Sequence, residues 1–130
     1  LQIKPAFDEW SANEVLAHLR ACADVWGTCI MKIIAEDRPT WQAVSPRTWI
    51  KQTDYPELDF RFSLHAFTTQ RANLLSALSL LPIDSWERSA QVSTVGKVLK
   101  PTVQSYTQRL VVHERSHMRQ IKRMVTTIQE

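Results

Sequence analysis

Apolar side chains recur every third or fourth residue along three long stretches of this chain, separated by connections that contain proline. That spacing is the period of an α-helix, whereas a half-buried strand would alternate residue by residue. With only two glycines among 130 residues, the chain has few positions that favour tight turns, and the expected fold class is all-α. A chain of this length can bury one substantial core but not two, so residues 1–130 read as a single domain.

The element boundaries are written in the punctuation. In Trp10-Ser11-Ala12-Asn13-Glu14-Val15, Ser11 can cap a helix, Glu14 can reach back to complete a capping box, and Trp10 can staple onto Val15. A helix is predicted from about 12 to 35. It should stop at Glu36-Asp37-Arg38-Pro39, because proline lacks a backbone donor and disfavours helical geometry in the residue before it. The connection from 39 to about 55, with Pro39, Pro46 and then Pro56, is expected to be ordered if Trp41 and Trp49 find pockets. A second helix is predicted from about 57 to 81, carried by Phe60, Leu64, Phe67, Leu74, Leu78 and Leu81 and stopped by Pro82. Residues 82–97 form another connection. The last helix should start between Val98 and Thr102, with Pro101 in its first turn, and run close to the C-terminus.

Charge excludes little. The formal net charge is +3, and the basic residues are interspersed with nearly as many carboxylates. No apolar run approaches the roughly 18 residues of a membrane span, and LQIKPAFDEW lacks the form of a signal peptide. The expectation is a soluble, cytoplasmic protein without a membrane partner. Cys22 and Cys29 would lie about 10 Å apart along one helix, too far to bridge each other, and read as reduced thiols.

The histidines carry the chemistry. On the last helix, Val103, Tyr106, Leu110, Ile121, Met124 and Ile128 share one stripe, and His113 and His117 fall within it. On the first, Val15, Leu19, Cys22, Trp26, Cys29 and Ile33 define the inner face, with His18 among them. His65 is rotated away from its own stripe and is left out. Imidazoles four apart on a helix are neighbours and can bind one cation without bending the backbone, and a third from a facing helix would leave a position open for water or substrate. The same residues also suit a simple packed role, and spacing does not separate the two readings. Cys22, one turn after His18, is a further candidate ligand, although a buried cysteine more commonly acts as a small apolar residue. Arg71 lies in the seam of the second helix and needs a partner, for which Glu114, near the edge of the histidine stripe, is available.

WSANEVLAHLRACADVWG resembles the W-S-x-x-E-V-L-x-H-L segment of DinB-like proteins, and HERSHMRQI resembles their final H-x-x-x-H-x-x-Q-I helix. LPIDSWERSA, followed by the Val-Gly-Lys turn, keeps the same order, so the resemblance spans roughly 8 to 125. It implies a four-helix bundle with a long crossover connection and a divalent metal, zinc or nickel, held by His18, His113 and His117. Members of that superfamily normally have another helix before the W-S-x-x-E segment. Only ten residues precede Ser11 here, so an upstream helix is expected to be missing from the given chain, or a partner subunit fills its place.

The functional expectation is a metal-dependent enzyme of thiol S-transferase or hydrolase type, acting on a small molecule such as a low-molecular-weight thiol, as a homodimer. Glu114 is the candidate for proton transfer or for orienting an imidazole. The alternative is a non-catalytic helical-bundle interaction or dimerisation module with a structural or vestigial metal site. Nucleic-acid binding through Arg115, Arg119, Lys122 and Arg123 is not expected, since these read as a solvated face whose charge suits a helix C-terminus.

Overall fold

Helix α1 spans Ala12–Ala35, and its first turn is built by the expected capping box. The Ser11 hydroxyl accepts from the Glu14 backbone N–H at 3.2 Å, while Glu14 Oε1 accepts from the Ser11 N–H at 3.1 Å. Trp10 is 41% exposed, and its ring meets His18 edge-on at 5.2 Å between centroids. The computed structural model describes Gln2 and residues 10–129, apart from the side chains of 127–129; the expected place of Ile128 on its stripe, and any element upstream of Trp10, lie outside the described residues.

The remaining α-helices and strands are strand β1 (Thr40–Gln42), the one-turn helix α2 (Pro46–Ile50), helix α3 (Phe60–Ser79), strands β2 (Gln91–Thr94) and β3 (Lys97–Leu99), and helix α4 (Val103–Gln129), with 3-10 turns at Tyr55–Glu57 and Ile83–Glu87. Three long helices and one short one dominate the described residues, so the chain is an all-α bundle with a minor sheet. Helix α1 is the centre of that bundle. It packs against α4, α3 and α2, which is why residues on several of its faces, including Leu16, Ala17, Leu19 and Ala21, are fully buried.

The two connections are more ordered than sequence spacing suggests. β1 pairs in parallel with β2, placing Trp41 opposite Val92, and β2 pairs antiparallel with β3, placing Val92 opposite Leu99. Gly96 makes the tight turn between β2 and β3 with φ at +73°, a conformation that glycine adopts without a Cβ clash. The second connection also closes α1. Arg88 Nε donates to the Ile33 carbonyl at 3.1 Å and its terminal nitrogen to the Glu36 carbonyl at 2.8 Å, satisfying acceptors at and just beyond the end of the helix.

Two apolar clusters hold the bundle. One joins Ile30 and Ile33 to Leu74, Leu78, Val103, Tyr106 and Leu110, with Trp26, Trp41 and Trp86 packed around it. The other joins Val15, Leu16 and Leu19 to Phe67, Ile121 and Met124. The segment of α4 between them, residues 111–120, contributes to neither cluster, and it carries both histidines of that helix.

Candidate metal centre

Helices α1 and α4 bring three imidazoles into one layer between the apolar clusters. His18 and His113 face each other with their Nε2 atoms 3.1 Å apart. The His117 ring lies 4.5 Å from that of His113 and 5.3 Å from that of His18, centroid to centroid. All three are half-buried, whereas His65 is exposed on α3. The inward phase expected of His18, His113 and His117 is therefore the one found.

Cys22 joins them more closely than helical phase alone indicates. Its Sγ is 3.6 Å from His18 Nε2, and the donor atoms of His18, Cys22 and His113 all lie within 4.8 Å of one another. His117 stands beside this set, in ring contact with both histidines. Its Nδ1–H donates to Gln120 Oε1 at 3.0 Å, which leaves the Nε2 lone pair available. The glutamine is that of the H-x-x-x-H-x-x-Q pattern.

Without a cation, the electrostatics favour the neutral forms of His18, His113 and Cys22. Burial and the neighbouring imidazoles hold His18 down at about 4, with the Arg47 charge acting in the same direction, and burial beside His117 lowers His113 as well. Burial, with Glu114 close by, pushes the Cys22 thiol up to about 12. Tryptophans seal the rings: Trp10 lies edge-on to His18, and Trp26 meets His113 at 5.3 Å.

The residues fit a divalent cation. His113 Nδ1 is buried with no hydrogen-bond partner among the described residues, and its Nε2 meets another imidazole nitrogen. Two neutral imidazoles so placed can share one proton at most, so the cluster is not satisfied by its own hydrogen bonds. Around a tetrahedral cation, two imidazole nitrogens lie about 3.3 Å apart and a nitrogen and a sulfur about 3.6 Å. The 3.1 Å and 3.6 Å separations found here are close to both.

The family model described as the DinB superfamily matches residues 1–121. The chain belongs to the DinB superfamily. No curated protein and no solved structure matches it. For this DinB-superfamily chain, then, the residues around the cluster must be read from their own contacts.

Arg71, for which Glu114 is one possible partner by sequence, does form an ion pair with it. Arg71 Nε donates to Glu114 Oε1 at 3.0 Å, and a terminal guanidinium nitrogen meets Oε2. Burial raises the Glu114 carboxyl, and the opposing pull of Arg71 does not cancel it. Asp24 was not singled out by sequence, yet it organises the approach to the site. Its Oδ2 accepts from Trp49 Nε1 at 2.9 Å and from the Tyr55 hydroxyl at 2.6 Å, and its Oδ1 accepts from Gln70 Nε2 at 2.8 Å. One carboxylate on α1 thus fixes both the crossover connection and α3. The sequence signal was faint: an acidic residue near the inner face, and two aromatic donors in a connection expected to be ordered. The exposed Arg115, Arg119, Lys122 and Arg123 lie apart from this layer on α4. No helix among the described residues is long and apolar enough to cross a membrane.

Proposed function

We propose that this chain binds one divalent cation, zinc or nickel, through His18, His113 and His117, and uses it on a small-molecule substrate in thiol transfer or hydrolysis. The observation that carries this reading is the convergence of imidazoles from two helices, with His18 and His113 Nε2 atoms 3.1 Å apart and the His117 ring against both. Cys22 is placed to serve as a fourth donor or as the group beside the open position. A bound cation of this kind supplies Lewis acidity and lowers the pKa of a coordinated water or thiol.

The chain's own residues set the conditions for that chemistry. Gln120 holds His117 in the tautomer that presents Nε2, and the Trp10 and Trp26 edges keep His18 and His113 in place while limiting water. The low pKa of His18 keeps its lone pair free of a competing proton at neutral pH. Both oxygens of Glu114 are engaged by Arg71, which favours anchoring α4 to α3 over proton transfer.

Metal content tests the proposal, measured by plasma mass spectrometry on protein purified without a metal-affinity column. About one divalent ion per chain is expected, and none in a His113→Ala/His117→Ala variant. If the wild-type protein carries no ion and takes up neither zinc nor nickel on titration, the proposal is wrong.

A further inference from the structure

His18 forms part of the wall of a cleft of about 430 Å³ whose other described lining residues include Trp10, Glu14, Arg47 and Lys51. The two cations come from the crossover connection. Arg47 lies in α2 and Lys51 caps its C-terminus, four positions on, so they share one face of a single helical turn. Like charges at that spacing repel, and among the described residues neither side chain has a carboxylate partner. Among the described residues, the one carboxylate lining the cleft is that of Glu14, whose Oε1 is turned to the Ser11 backbone in the capping box.

This arrangement is held in place. Trp49 sits between the two cations in sequence and is tied by its indole N–H to Asp24, and Tyr55, just beyond, is tied to the same carboxylate. Arg20 stacks over the Tyr55 ring at 3.8 Å, which fixes the segment again. A solvated surface pair has no need of such an anchor, nor of a position at the mouth of a histidine cluster.

We propose that the cleft beside His18 selects substrates bearing an oxyanion, a carboxylate or a phosphate, which Arg47 and Lys51 grip while the reacting group reaches the histidine layer. The inference rests on the metal reading above and names the substrate class of that same site. Trp10 and Ile50 give the cleft an apolar wall for the substrate's carbon frame, so a small anionic molecule fits better than an extended polymer.

The test uses zinc-loaded protein whose metal content has been measured first, so that a failure of metal uptake is seen separately and counts against the metal reading. Calorimetry then compares mercaptosuccinate, a thiol with two carboxylates, with the neutral thiol 1-thioglycerol. Mercaptosuccinate should bind roughly tenfold more tightly. In an Arg47→Ala/Lys51→Ala variant with unchanged zinc content and melting temperature, that preference should fall to within about twofold. Inorganic phosphate that displaces mercaptosuccinate supports the proposal and brings phosphoesters into the class; phosphate that fails to displace it supports the proposal and restricts the class to carboxylates. Equal binding of the two thiols, no binding of mercaptosuccinate, or a preference unchanged in the double variant overturns it, because the anion would then be ignored or read by the zinc alone.

Discussion

Two polar side chains of helix α1, His18 and Asp24, are built into the bundle in opposite ways. Asp24 spends both oxygens on three neutral donors, two from the crossover connection and one from α3. His18 meets another imidazole nitrogen and a thiol, in a layer that also holds an unpartnered buried nitrogen on His113. A polar group satisfied by the protein is a structural fastener, whereas a cluster the protein leaves unsatisfied needs something from outside. The difference marks which of the two is the site, although they are separated by less than two turns of one helix.

The sharpest way to break this comparison is to remove the fastener. Asp24→Ala leaves the Trp49, Tyr55 and Gln70 donors without their acceptor and should destabilise the metal-free protein by about 2 kcal/mol, read as a lower urea midpoint. An unchanged midpoint would mean that the crossover connection is held by other contacts.

A graded effect is expected from acid. His18 has a folded-state pKa of about 4 against an ordinary 6.5, and His113 is lowered too, so the unfolded chain binds protons that the folded chain refuses. Stability of the metal-free protein should therefore be full above about pH 6.5 and fall as pH drops towards about 4, with Glu114, whose raised pKa has the opposite sign, offsetting part of the loss. Urea midpoints at several pH values in chelator should show that slope, and His18→Leu should flatten it. A slope that His18→Leu leaves intact would place the titration elsewhere.

The smallest effect belongs to the cluster itself. Replacing His113 with leucine removes an unsatisfied polar group and keeps most of the volume, so metal-free stability should change by no more than about 1 kcal/mol. A loss as large as that of Asp24→Ala would show that the two regions do not differ as described.

Much of this was legible along the chain, for reasons that are local. Ser11 and Glu14 lie three apart, so the capping box could be read, and α1 occupies the expected residues 12–35. α3 and α4 begin at Phe60 and Val103, within a few residues of their expected starts, because helical phase accumulates over many turns and blurs only at the ends. The same phase placed His18, His113 and His117 inward. Side chains on a helix are related by a fixed rotation, so a spacing in sequence is already a direction in space.

The sheet, the Asp24 hub and the cationic cleft follow no such rule. β1 and β2 are three and four residues long and pair across some fifty positions, too short for a period and too distant for a turn signal. Trp49, Tyr55 and Gln70 lie 25, 31 and 46 residues from Asp24, and their convergence depends on how the crossover lies over α1. The closeness of Cys22 to His113 likewise required the packing of α4 against α1, whereas its place beside His18 follows from their four-residue spacing. Helical phase sets which way a side chain points, but the group it meets is chosen by how the elements pack, and the candidate site is made of such meetings.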